Sequence, residues 1–130
     1  MFITLEADYA VRIIDCMAKS QKRQDAKTIA DNTGVSLRFA LKILRKLVGA
    51  ELVVSYKGAS GGYEMKKSPE DTTLREVIEA IDGPYYISRC AGGTEYTCSH
   101  PNESCCRFQK TFYDISQIVK TELEKQNFAR

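Results

Sequence analysis

The sequence predicts a mainly α-helical protein with one small β-hairpin and a long C-terminal helix. Apolar residues recur at helical spacing through most of the chain, two β-prone runs flank a glycine-rich turn, and the last apolar stripe is long. The 130 residues, 43% of them hydrophobic, suit one domain with an appended helix. We expect three parts, at residues 1–83, 84–106 and 107–130.

The first predicted helix covers residues 4–20. Thr4 is a suitable N-cap, and Cys16 is expected to be a small core residue beside the apolar face. That face is a stripe of four apolar residues: Leu5, Tyr9, Ile13 and Met17. The N-terminus carries acids and no cleavage-like site, and no apolar run is long enough to cross a membrane. We therefore expect a cytoplasmic protein without a membrane partner.

A short helix and a longer helix follow, joined by a tight turn. The short helix covers residues 26–32 and closes at Gly34, which suits a left-handed position. Ser36 then caps the longer helix, which runs to about Val48. A short helix, a turn with glycine and a longer helix form a helix-turn-helix.

The longer helix separates apolar from basic residues. Projected at about 100° per residue, one side is apolar: Leu37, Leu41, Leu44, Leu47 and Val48. The other side is basic and has no acid: Arg38, Lys42, Arg45 and Lys46. This pattern favours a helix that reads the DNA major groove through Ser36, Arg38, Lys42 and Arg45, with Lys46 on phosphate. A merely solvated face is the alternative.

Two β-prone runs at 52–56 and 63–66 surround a glycine-rich tip and predict a hairpin. A hairpin directly after such a helix is a wing, whose glycines let the backbone approach DNA. We expect Lys57, Ser60 and Gly61 to approach the minor groove. Residues 1–67 hold 12 Lys and Arg against 7 Asp and Glu, whereas residues 68–130 hold 7 against 10. The asymmetry fits a polyanionic partner for the first half, although chance can produce it.

Four of the five cysteines lie in one polar loop: Cys90, Cys98, Cys105 and Cys106. Clustered thiolates on a loop suit a soft metal or an iron–sulfur centre. An odd number of cysteines in a reducing compartment makes a disulfide framework a poor alternative.

The last predicted helix runs from about residue 104 to 128, after a shorter helix at 74–81 that Thr73 caps. Its apolar stripe is Phe108, Phe112, Ile115, Val119 and Leu123, widened by Tyr113 and Ile118. A small domain cannot cover so long a stripe, so a second copy of the helix, and hence a homodimer, is expected. Packing on the first helix is the alternative.

The order of these elements resembles the Rrf-type winged-helix transcription regulators over nearly the whole chain. The residues that carry the resemblance are Ser36–Arg38, the wing 58–63, Leu74–Ile78 and the cysteine loop. The family includes regulators of the IscR, NsrR and CymR types. The resemblance implies a homodimeric repressor that binds a pseudo-palindromic double-stranded DNA operator. It also implies a 2Fe–2S or 4Fe–4S cluster on Cys90, Cys98 and Cys106, with Cys105 as a spare thiol or alternative ligand.

Two features depart from the family pattern. The cysteines are spaced more widely than is usual, and Gln109 stands where IscR-type members have a histidine ligand. The resemblance to NsrR-type members implies that Asp8 of the partner subunit completes the cluster, with Glu6 and His100 less favoured. A carboxylate is a poor match for such iron and would leave the site labile.

Other functions remain open. The cysteines could hold structural zinc or act as a thiol–disulfide switch, or a CymR-like partner protein could control the repressor. The chain could also be a protein adaptor that binds no DNA. It contains no catalytic triad or phosphate loop and only one histidine, so we do not expect an enzyme.

Overall fold

The structure is a computed structural model that describes residues 2–92 and 107–130. It confirms the predicted fold class, with five helices and one antiparallel hairpin among those residues. The elements are α1 (Leu5–Ser20), α2 (Ala26–Thr33), α3 (Leu37–Gly49), β1 (Val53–Tyr56), β2 (Gly62–Met65), α4 (Leu74–Asp82) and α5 (Arg107–Glu124). None of the helices in these ranges is both long and apolar enough to span a membrane.

The helices begin at the polar residues that the sequence indicated. The side chains of Thr4, Ser36 and Thr73 each accept a hydrogen bond from a backbone N–H in the first turn of their helix. Thr73 and Glu76 form a reciprocal capping box at the start of α4. Gly34 ends α2 with a φ of 71°, in the left-handed region that glycine adopts without steric cost. These local signals fix the tight turn between α2 and α3.

A single core lies between α1, α2, α3, α4 and the hairpin. Its largest fully buried side chains include Ile13, Ile14, Ile29, Ile43 and Leu44. Cys16 is only half-buried at its margin, and burial raises the pKa of its thiol.

The apolar face of α3 is rotated from the predicted one. Ala40, Ile43, Leu44 and Leu47 are buried, whereas Leu37 and Leu41 are 46% and 40% exposed. The projection was wrong for these two leucines because it grouped every leucine together. The core packs against the side of α3 that contains Ala40 and Ile43. Because Leu37 and Leu41 lie to one side of that row, they face solvent.

The wing, residues 53–65, pairs β1 with β2 from Val53 opposite Met65 to Tyr56 opposite Gly62. Gln24, in the loop before α2, adds a bridge to Tyr63 on the outer edge of β2. Gly62 has a φ of 134°, and a Cβ atom there would lie 2.6 Å from the carbonyl oxygen of Gln24. Only glycine therefore lets the α1–α2 loop approach the wing so closely.

The C-terminal end differs from the prediction. Helix α5 ends at Glu124 rather than near residue 128, and the chain then returns to the core. Leu74 N donates to Gln126 O at 2.8 Å, and Phe128 N donates to Pro69 O at 3.1 Å. Phe128 is only 7% exposed. Burial of its ring and the two backbone bonds explain why the helix stops early.

Helix α5 packs mainly on α4 and on the 3-10 turn Arg89–Ala91, rather than on α1. Its buried residues are Ser116 and Lys120, which are polar, whereas Phe108, Tyr113 and Ile118 are largely exposed. The predicted apolar stripe therefore remains partly uncovered within one chain.

Candidate nucleic-acid interface and cysteine segment

Helix α3 is fixed at its N-terminal end by contacts that leave one side open. Ser36 Oγ accepts a hydrogen bond from Phe39 N at 3.2 Å. The Phe39 ring meets the Tyr9 ring of α1 edge-on, with 6.1 Å between the ring centroids. These contacts hold the first turn of α3 against α1, so the positions of the side chains that follow are defined by the fold.

The outer side of α3 has three rows of side chains. Leu37 and Leu41 form one edge, Arg38 and Arg45 lie in the middle, and Lys42 and Lys46 form the other edge, by helical position at about 100° per residue. All six are exposed, as is the capping Ser36. The structure thus places every predicted α3 contact residue on one accessible surface, which we call the outer face of α3.

The lysine edge carries an acid that the sequence pattern did not reveal. Glu6, in the first turn of α1, accepts from Lys42 Nζ at 2.6 Å and from Lys46 Nζ at 2.8 Å. The hydrogen bonds from Lys42 and then Lys46 lower the pKa of Glu6 from 4.5 to about 2. Helix α3 contains no acid of its own, so its projection predicted an uninterrupted basic surface. Only tertiary packing brings Glu6 to it.

The wing is held by an arginine that sequence reasoning missed. The guanidinium carbon of Arg23 lies 3.4 Å from the centroid of the Tyr56 ring, and Arg23 Nη1 donates to Ser60 O at 2.9 Å. Tyr56 Oη on β1 donates a hydrogen bond to Glu64 on β2, and this bond raises the pKa of the Tyr56 phenol. Lys57 and Ser60 are exposed at the tip.

Gly61 lies at the same tip but is half-buried. A Cβ atom at Gly61 would lie 2.5 Å from Tyr56 O, so this glycine is needed to close the turn. For Arg23, the one available sequence signal was its position in the polar loop just before the helix-turn-helix.

Cys90 is the one cysteine of the predicted ligand set that the structure describes. Its side chain is half-buried, and its Sγ lies 3.2 Å from Ser88 Oγ. Gln109 Nε2, on α5, donates to Cys90 O at 2.9 Å. The other residues predicted for this loop lie outside the described ranges: Cys98, His100, Cys105 and Cys106. Within 2–92 and 107–130, no three His, Cys, Asp or Glu side chains are grouped as a metal ion requires.

The segment that leads to Cys90 is anchored on α5. Ile87 N donates to Ser116 Oγ at 2.9 Å, and Lys120 Nζ lies 3.8 Å from the centroid of the Tyr86 ring. Gly92 packs so closely on the same ring that a Cβ atom would lie 2.0 Å from it. These contacts explain the burial of polar Ser116 and Lys120, and they connect the start of the cysteine loop directly to α5.

Asp8, the predicted fourth ligand, is half-exposed on α1. Its Oδ2 lies 2.9 Å from Nη2 of Arg12, and Nη1 of the same arginine donates to Thr33 O at the end of α2. Asp8 therefore forms an ion pair within its own chain. Its partner, Arg12, also contacts the helix-turn-helix. Glu6, a less favoured ligand, is held by the two lysines of α3.

A helix-turn-helix followed directly by a two-stranded wing defines the winged helix-turn-helix class of DNA-binding proteins. The chain belongs to the Rrf2 family, because the family model described as "Iron-dependent Transcriptional regulator" matches residues 3–130. It is therefore a transcription regulator and not an enzyme, as the sequence predicted.

Individual proteins agree with this assignment. The chain is 32% identical to the Rrf2-like HTH-type transcriptional regulator of Rhodobacter capsulatus, over 87% of this chain and 80% of that protein. It is 26% identical to the HTH-type transcriptional regulator NsrR of Shouchella clausii, over 75% of this chain and 67% of that protein. Its fold matches CymR, the global cysteine regulator of B. subtilis, with a TM-score of 0.77 and 22% identity over 98% and 93% of the two chains.

Proposed function

We propose that the chain is a cytoplasmic homodimeric repressor that binds a double-stranded DNA operator and responds to an iron–sulfur cluster on its cysteine loop. The outer face of α3 carries this proposal. Arg38 and Arg45 are exposed there, on the second helix of the helix-turn-helix, while Glu6 pairs with the lysines and not with these arginines. Arginine binds guanine O6 and N7 through two hydrogen bonds, so this arrangement supports major-groove reading.

The proposed contacts divide into two groups. Ser36, Arg38, Lys42 and Arg45 enter the major groove, and Lys46 meets phosphate. At the wing, Lys57, Ser60 and Gly61 approach the minor groove. Lys42 and Lys46 reach DNA only by exchanging or sharing their bonds to Glu6.

Selection of duplexes from a random-sequence pool tests DNA binding. We expect enrichment of a pseudo-palindromic sequence, bound with an affinity that falls steeply with salt because phosphate contacts release counterions. Arg38→Ala should change which sequence is enriched, whereas Lys46→Ala should weaken binding evenly across sequences. Failure to enrich any duplex over a range of salt concentrations, with and without iron, would contradict the proposal and favour a protein adaptor.

The dimer is proposed from α5. Its apolar stripe is partly open to solvent although its polar Ser116 and Lys120 are buried on its own domain. A second α5 would cover Phe108, Ile118 and their neighbours in a two-fold arrangement. Since α5 also carries the anchor of the Cys90 segment, a change at the cysteines could alter how the two copies of α3 are spaced.

The cluster is proposed on Cys90, Cys98 and Cys106, with Asp8 of the partner subunit as fourth ligand and Cys105 as an alternative thiolate. The description of the family as iron-dependent and the free, half-buried Cys90 thiol support it. A bound cluster supplies redox and nitric-oxide chemistry. This chain's part is to hold it: Gln109 orients the Cys90 backbone, and Arg12 holds the Asp8 carboxylate until it is released.

An absorption spectrum of anaerobically purified protein, with iron and sulfide analysis, tests the cluster. We expect a brown protein with charge-transfer bands, and a less stable cluster in Asp8→Ala. A colourless protein that contains zinc or no metal would contradict it and favour a zinc or thiol sensor. A cluster of unchanged stability in Asp8→Ala would reject only the fourth ligand.

A further inference from the structure

The outer face of α3 carries an apolar edge beside its arginines. Leu37 is 46% exposed and Leu41 is 40% exposed, although buried positions are available to leucine elsewhere on the same helix. Together with Arg38, Phe39, Lys42 and Arg45, they line one open depression on the protein surface. Single exposed leucines are common, but two on the first turns of the same helix form a continuous patch.

The two leucines and the two arginines form neighbouring rows along α3. Leu41 lies one turn after Leu37, and Arg45 lies about two turns after Arg38. Leu41 lies three residues after Arg38 and four before Arg45, so it is a surface neighbour of both arginines, and Leu37 extends the leucine edge by one turn. A surface that approaches α3 closely enough to contact the leucine edge is also within reach of both arginines.

The chemistry of the major groove offers a match for this pair of side-chain types. Guanine presents two acceptors to arginine, and the C5-methyl of thymine is the apolar group exposed on a base edge. We propose that Leu37 and Leu41 contact thymine methyl groups next to guanines that Arg38 and Arg45 bind. The inference rests on the proposed DNA-binding function and specifies it: the half-site would combine guanines with neighbouring thymines.

Charge favours DNA over a protein partner on this patch. Helix α3 has no acidic residue, and Glu6 borders the lysine edge, not the leucine edge. A partner protein would have to bring acids to Arg38 and Arg45 as well as an apolar surface, whereas duplex DNA carries both phosphate charge and thymine methyls.

Replacing thymine by deoxyuridine removes this methyl group and leaves base pairing intact. The experiment first selects a duplex from a random pool with the whole 130-residue chain. It then measures binding of that duplex and of versions with deoxyuridine at single positions. Wild type is compared with Leu37→Ala and Leu41→Ala, each of which retains a helix-favouring residue. Deoxyuridine at thymines outside the DNA segment that the protein contacts is the control.

For wild type, we expect about a threefold to fivefold loss of affinity at one or two thymines, the size of one buried methyl group. In Leu41→Ala or Leu37→Ala, the thymine and deoxyuridine duplexes should bind equally at the matching position. The inference is overturned if wild type is insensitive to deoxyuridine, if the selected duplex lacks thymine beside guanine, or if the leucine variants keep the full methyl effect. If no duplex is selected at all, the proposed function itself fails.

Discussion

The Nζ atom of Lys42 lies 2.6 Å from Oε1 of Glu6, so an acid from the first turn of α1 is bound to the helix that we propose enters DNA. Lys46 pairs with the other carboxylate oxygen at 2.8 Å. Before DNA can bind either lysine, the bond of that lysine to Glu6 must be broken or shared. Glu6 therefore lowers the positive potential at the lysine edge of α3. Among the residues that the structure describes, Arg38 and Arg45 are then the α3 cations that no carboxylate neutralises.

Glu6→Gln should strengthen DNA binding. Loss of the carboxylate frees both lysines, so we expect affinity to rise on the order of fivefold at low salt, with a steeper salt dependence. Fluorescence anisotropy over a salt series measures both quantities. Glu122→Gln makes the same charge change on α5 and should have little effect. Equal gains in the two variants would show that only net charge matters.

The titration of Glu6 should report the same pairs. Its pKa is about 2 in the folded chain against an ordinary value of 4.5, so its contribution to stability is complete above about pH 4.5 and is lost as the pH falls toward 2. Side-chain carboxyl NMR should give a midpoint near 2. In the double variant Lys42→Ala with Lys46→Ala, the midpoint should move toward 4.5. A wild-type midpoint already near 4.5 would show that the pairs do not form in solution.

Arg23→Ala should loosen the wing. The variant loses the stacking on Tyr56 and the hydrogen bond to Ser60 O, so DNA affinity should fall about fivefold, with the sequence preference of α3 unchanged. Binding to the selected duplex and amide hydrogen exchange at the wing measure the two effects. Lys22→Ala removes the same charge from an exposed neighbouring position. If Lys22→Ala reduces DNA affinity and alters hydrogen exchange at the wing as much as Arg23→Ala does, Arg23 has no special role.

Phe128→Ala should destabilise the whole fold. The ring is 7% exposed in the core, and truncation of a buried phenylalanine costs about 3 kcal/mol of unfolding free energy. Urea denaturation followed by circular dichroism measures it. Phe2→Ala is the matched control, because Phe2 is 98% exposed and should change stability little. Similar values for the two variants would mean that the C-terminal segment does not dock in solution.

Ile118→Arg should separate the proposed dimer. Ile118 is 62% exposed on α5, and a buried unpaired guanidinium would oppose association, so the dimer should weaken at least about tenfold. Analytical ultracentrifugation over a concentration series gives the dissociation constant. Thr28→Arg places the same side chain on an exposed position of α2, outside α5. A monomeric wild type, or a dimer that tolerates Ile118→Arg, would reject this interface.

Local signals in the sequence determined the elements and their order. Ser36 and Gly34 mark the helix-turn-helix turn, Thr73 starts α4, and the glycines at 58–62 mark the hairpin, because caps and positive-φ positions depend on a few neighbouring residues. The same locality let the sequence predict Arg38 and Arg45 on the exposed side of α3.

Only the tertiary structure decided which partners these elements meet. It turned Leu37 and Leu41 outward, brought Glu6 to the lysines, placed Arg23 over Tyr56 and returned Phe128 to the core. Each of these outcomes depends on contacts between residues far apart in the chain. Helical or strand periodicity contains no information about such distant neighbours. The direction of α3's apolar face is set by what packs against it, and not by where its leucines recur.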